Sequence, residues 1–228
     1  HPPATTAYIE LRRAQALSAG KQLDLRWSWV DEDHISEHLK MAVITAEDDE
    51  FWGHDGVDWK ALRAAWEQDR KAGRLQAGGS TITMQLARNL YLSPSKNPLR
   101  KAKEILIARR LERDLGKSRI LELYLNTAEW GKGVFGCEAA AQTYFAKPCA
   151  ELSPDESVAM AVVLPNPRRW DPAKRGAYVE RNSKRIIERM AASGWWSTEL
   201  NDEGAATVNT STNSVNGDQD EQPGAYEP

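Results

Sequence analysis

Apolar residues recur along this chain with the period of an α-helix. Leu99, Ala102, Ile105 and Leu106 trace a helical face that runs on to Leu111, and Ile120, Leu121, Tyr124 and Leu125 repeat it. Strand-like alternation is scarce. A chain patterned in this way closes a core by packing helix on helix, so the expected fold class is all-α.

Further helices are predicted over 36–47, 58–71, 81–90, 136–145, 154–163 and 177–190. Ser153 before Pro154, Asp155 and Glu156 reads as an N-cap, with proline and acids in the first turn where the helix dipole favours them. Leu164-Pro165-Asn166-Pro167 then ends that helix.

The 228 residues suffice for one substantial core, and one catalytic domain is expected over 1–200. From 201 to 228 the chain turns to Asn, Thr, Ser, Gly, Asp and Gln, which offer too little apolar surface to offset ordering entropy; a disordered polar tail is expected there. Thirty basic residues against 33 acidic ones, net −3, give no reason to expect a nucleic-acid partner. Cys137 and Cys149 are too few for a disulfide framework and are read as two isolated thiols. No run reaches the roughly 20 apolar residues of a membrane-spanning helix. The opening His1-Pro2-Pro3 leads us to expect an N-terminal segment outside this sequence.

Four polar islands interrupt the helical pattern. The first, Glu47-Asp48-Asp49-Glu50-Phe51-Trp52-Gly53-His54, ends an apolar helix with carboxylates, where the dipole disfavours them. A carboxylate held there has its proton affinity raised, as a general base requires, although acidic clusters are more often solvated faces. The second, Gly78-Gly79-Ser80-Thr81-Ile82-Thr83-Met84-Gln85, opens a helix with free amides and hydroxyls suited to an anion, but lacks the lysine of a nucleotide-binding loop. The third is Arg100-Lys101-Ala102-Lys103-Glu104, which with Arg88 and Lys96 makes a basic stretch around one acid. Arg100 and Glu104 share a helical face, either as a surface ion pair or as part of a diphosphate clamp. The fourth runs from Lys117 to Asn126.

Two short patterns are decoys. His34-Ile35-Ser36-Glu37-His38 has the spacing of an inverted zinc-protease motif but no supporting carboxylate pattern, so no metal site is assigned. Ser93-Pro94-Ser95-Lys96 has the spacing of a serine acyl-enzyme motif without its companion elements. Trp27, Trp29, Trp52, Trp59, Trp66 and the pair Trp195-Trp196 suit either a core or a membrane interface, and the core is favoured.

In this order the four islands resemble the glycosyltransferase domain of class A penicillin-binding proteins and, more closely, the monofunctional peptidoglycan transglycosylases, over residues 39–190. The first family motif is complete as Glu47, Asp48, Phe51, His54 and Gly56; the third and fourth are complete as Arg100 to Glu104 and Lys117 to Asn126. Residues Asn126-Thr127-Ala128-Glu129-Trp130-Gly131 and the following Gly133-Val134-Phe135-Gly136 look like the monofunctional branch. The chain departs from the family at Met84, usually glutamine, and at Arg88 and Lys96, where the cation types are exchanged.

The resemblance implies a lysozyme-like globular lobe with a smaller membrane-facing lobe. It implies an inverting polymerase of lipid II that releases undecaprenyl pyrophosphate, with Glu47 and Glu104 in catalysis. Substrate would be bound by Asp48, Phe51, His54, Ser80, Thr81, Gln85, Arg88, Asn89, Lys96, Arg100 and Lys101. No cofactor is required, although magnesium or manganese stimulation is expected. The expected partners are lipid II, the growing glycan chain, the membrane surface and cell-division or cell-wall synthesis proteins. The expected location is the periplasmic face of the bacterial inner membrane, with an N-terminal anchoring helix. A lytic peptidoglycan hydrolase and an inactive cell-wall scaffold are the alternatives.

Overall fold

The computed structural model describes residues 2–72, 78–92 and 98–194. Lys96, Trp195, Trp196, the Ser93–Lys96 pattern and the polar tail lie outside the described residues.

The fold is mostly helical. In chain order, helices α1 (Ala7–Ser18), α2 (Glu37–Glu47), α3 (Trp59–Ala72), α4 (Ile82–Tyr91), α5 (Pro98–Asp114), α6 (Lys117–Thr127), α7 (Cys137–Phe145), α8 (Pro154–Val163) and α9 (Ala177–Ala192) carry the core. Sequence and structure agree on α2 to α9 to within a few residues. Thr81 caps α4, its Oγ1 accepting from Met84 N–H at 3.1 Å. Ser153 and Glu156 form a reciprocal capping box at α8.

Helix α6 is buried from Ile120 through Thr127 and α8 from Ser157 through Val163, so these two short helices form the centre. Around them, α2 packs on α8 and α9, while α4 packs on α5, α6 and α1. The resulting core runs continuously from Ile35 to Met190.

The helix α1 was not expected. Its apolar face is thin, with only Ile9 buried, and it is held instead by a long-range ion pair, Arg12 to Glu129 at 2.7 Å. A small sheet was not expected either. Strands β1 (Arg26–Trp27), β2 (Glu129–Gly131) and β3 (Val134–Phe135) pair in the order β1-β3-β2. The hairpin turns at Gly133, φ +77°, where a Cβ would collide with the Asp24 carbonyl oxygen. Asn126 clamps the incoming segment by accepting from Val30 N–H at 3.0 Å and donating to Val30 C=O at 2.9 Å.

Two sequence expectations need correction. The stripe Leu99, Ala102, Leu106 on α5 faces solvent, with Leu99 68% and Leu106 69% exposed, because the buried face of that helix carries Glu104, Ala108 and Leu111. Trp52, Trp59 and Trp66 are more than half exposed and lie outside the core; among the described residues, Trp130 is the fully buried tryptophan. The reading of Cys137 and Cys149 as unpaired thiols holds: both are free and buried, and burial, then the neighbouring Cys149, push the Cys137 thiol well up. Among the described residues, no helix is long and apolar enough to cross a membrane.

Candidate active site

Glu47 is the last residue of α2, and Asp48 caps that helix. The Glu47 carboxylate is half-buried and accepts from Gln85 Nε2 at 2.7 Å. Burial pushes its carboxyl above the ordinary range; the Gln85 donor and the Arg88 charge oppose this, and the Asp48 charge adds to it. The raised proton affinity expected from the sequence is present, but burial is its main source rather than the helix dipole.

Asp48 anchors the turn that follows. Its Oδ2 accepts from Ile82 N–H at 2.9 Å, and its carboxylate meets His54 Nε2 at 3.0 Å. Gly56 N–H donates to His54 Nδ1 at 3.1 Å, so it is Nε2 that carries the hydrogen given to Asp48. Thr81 Oγ1 donates to Gly56 C=O at 2.6 Å. Phe51 is fully buried, with the Lys117 ammonium 4.5 Å from its ring centroid. Asp48, Phe51, His54 and Thr81 are thus engaged with protein partners and hold Glu47 and the start of α4 in place.

Gly79 sets the second island against α3. Its φ is +73°, and a Cβ there would lie 2.9 Å from the Ala61 carbonyl oxygen, so the turn approaches the helix as only glycine allows. Ser80 next to it accepts from Lys101 Nζ at 2.6 Å, which joins the second island to the third. Glu104 is buried between two cations, Arg100 in direct ion-pair contact and Lys101 at 3.5 Å. Burial lowers the Lys101 pKa, Glu104 opposes that shift, and Arg88 and Arg100 add to it.

Arg88 and Asn89 stand three and four residues after Gln85 on α4, close to its face. The charge of Arg88 opposes the upward shift of Glu47 and adds to the lowering of Lys101. Met84, at the position where glutamine is usual, is fully buried in the core; an apolar side chain suits that place, while Gln85 supplies the amide to Glu47.

Two features of the site were not found from the sequence. Tyr124 OH donates to Gln85 Oε1 at 3.1 Å, although its helical spacing marks it only as a core residue. Tyr178 of α9, stacked on Trp170 at 4.2 Å, has its pKa raised by burial and then by the charge of Glu47. Nothing in its local sequence distinguishes it from a packing residue.

A family model described as Transglycosylase matches residues 15–191. The chain is 50% identical over 188 residues to the "Biosynthetic peptidoglycan transglycosylase" of Aromatoleum aromaticum, covering 82% of this chain and 81% of that protein. Proteins of the same name from Laribacter hongkongensis and Herminiimonas arsenicoxydans are 44% identical over 188 residues and 43% over 192. They cover 82% and 84% of this chain and 82% and 83% of their own length.

Proposed function

Because the chain belongs to the transglycosylase family and is a peptidoglycan glycosyltransferase, we propose that it polymerises lipid II with Glu47 as the general base. Glu47 takes the proton of the acceptor sugar 4-hydroxyl as that oxygen attacks the anomeric carbon of the lipid-linked chain, which inverts. The bond to undecaprenyl pyrophosphate breaks on the opposite face. That leaving group needs its charge neutralised more than it needs a proton.

The single observation that carries this reading is that Gln85 of α4 holds the half-buried Glu47 carboxylate while Ser80, just before α4, accepts from Lys101 of the cation group around Glu104. Arg88, Lys96, Arg100 and Lys101 grip the pyrophosphates, with Ser80 and the start of α4 adding polar groups. Glu104 holds Arg100 and Lys101 in position. A hydrolase that cuts finished glycan has no use for such a cation group. The oxygens of Glu104 face two cations, surroundings that do not suit a resident divalent ion, so no step passes through a metal; stimulation by magnesium or manganese would act through the substrate's own pyrophosphate.

The reaction takes place at the periplasmic face of the inner membrane, with an N-terminal helix as anchor and cell-division or cell-wall synthesis proteins as partners. Support for a membrane-facing lobe comes from the outward Leu99 and Leu106 of α5 and from Trp59 and Trp66 of α3, which suit an interface. The deciding experiment incubates purified protein with labelled lipid II. Long glycan chains are expected; cleavage of finished peptidoglycan without polymerisation would overturn the reading.

A further inference from the structure

We propose that Tyr124 is a positioning residue that fixes which end of the Gln85 amide faces Glu47. The inference rests on the reading of Glu47 as the base. Three side chains from three helices line up: Tyr124 OH donates to Gln85 Oε1 at 3.1 Å, and Gln85 Nε2 donates to Glu47 Oε2 at 2.7 Å. Tyr124 is 1% exposed, so its ring is fixed by packing and its hydroxyl is held at one place.

An amide has a donor end and an acceptor end, and the two states of Glu47 want opposite ends. An ionised carboxylate needs the NH₂ group, which turns the Gln85 oxygen toward Tyr124. A protonated carboxyl can instead donate to that oxygen, with the amide reversed. A phenol hydroxyl can donate or accept but donates the more strongly, so its hydrogen bond to Oε1 favours the orientation that serves ionised Glu47. It therefore opposes the effect of burial and keeps the base available at lower pH.

The other charged or titratable groups set against Glu47 are Asp48 beside it, Arg88 on α4 and Tyr178 on α9, and a Gln85→Leu background separates their effect from that of the amide.

The test is Tyr124→Phe in the intact chain, with the Glu47 side-chain carboxyl followed by carbon NMR through a pH titration and identified by its loss in Glu47→Gln. The expected result is a rise of about 0.5 to 1 in the Glu47 pKa. The acid limb of the kcat profile for lipid II polymerisation should move by the same amount, with KM little changed. Gln85→Leu should raise the pKa at least as far, and adding Tyr124→Phe to it should add nothing further. An unchanged Glu47 titration in folded Tyr124→Phe, or additive shifts in the double variant, overturns the proposal. A shifted titration together with full polymerisation by Glu47→Gln would remove the base assignment while leaving the amide relay standing. Should Tyr124→Phe fail to fold, 3-fluorotyrosine at position 124, a stronger donor, should lower the Glu47 pKa; no change or a rise overturns the proposal.

Discussion

Glu47 and Glu104 are both withdrawn from water, and the structure treats them in opposite ways. Glu47 ends a helix and has a neutral amide as its close partner, so burial leaves its proton affinity raised. Glu104 lies mid-helix between Arg100 and Lys101, which compensate its charge in place. The first arrangement leaves a carboxylate ready to take a proton; the second pairs one with the cations it positions. Residue type and burial alone do not set the role of a carboxylate, because the charge of the nearest partner decides it.

The comparison breaks most directly at Glu47. Glu47→Gln keeps the shape and removes the proton acceptor, so lipid II turnover should fall by about 10²- to 10⁴-fold with lipid II binding largely retained. Polymerisation at wild-type rate by a folded Glu47→Gln protein would place the base elsewhere. On the cation side, Lys101→Ala should reduce kcat/KM by about 10²-fold, because a charge that meets the departing pyrophosphate is lost. A change in KM alone would mean that Lys101 binds substrate without stabilising the transition state. Glu104→Gln leaves the cations present but less well held, and a smaller loss, about tenfold in kcat/KM, is expected.

Most helices were legible because their apolar spacing and caps are local: Ser153 with Glu156 and Thr81 before Ile82 announce their helices within four residues. The parts that were not legible depend on distant partners. Arg12 finds Glu129 across 117 residues, and without that pairing α1 has little apolar pattern to betray it. β1 and β3 are two residues long and β2 three, too short for an alternation to register. On α5 the period was right and the direction wrong: Leu99 and Leu106 face outward because Glu104 takes the inner face with its cations. At the site, Glu47 stood out only through its place among ordered motifs. Its contact with Gln85, 38 residues away, and the Tyr124 hydroxyl behind it appear only once α2, α4 and α6 are brought together.

The outward apolar residues offer a separate check on where the cation group operates. Replacing Trp59 and Trp66 by serine removes exposed aromatic surface without touching the core. Sedimentation with vesicles containing anionic lipid should show a several-fold loss of binding, since exposed aromatics favour the interface. Turnover of a short-chain, detergent-free lipid II analogue should be unchanged. Equal loss in both assays would indicate damage to the fold instead.

The finest distinction between the two glutamates is thermal, since the same substitution should shift stability in opposite directions. A carboxyl whose folded pKa is raised contributes stability that is fully present below its unfolded pKa and lost as pH rises through the folded value. Above that window wild-type Glu47 is ionised against burial, and a glutamine there is not. Glu47→Gln should therefore melt higher at pH 8, by about 1 to 3 °C, and the difference should vanish near pH 4, where both side chains are neutral. Glu104→Gln removes the anion between Arg100 and Lys101, leaving two partly buried cations to repel each other. Discounted for their partial exposure, that loss is about 1 kcal/mol and should lower the melting temperature by about 2 to 4 °C at the same pH. Scanning calorimetry of the two variants at pH 8 and pH 4 reads both signs at once. Two shifts of the same sign at pH 8 would show that the glutamates occupy equivalent environments, and the contrast between base and organiser would be lost.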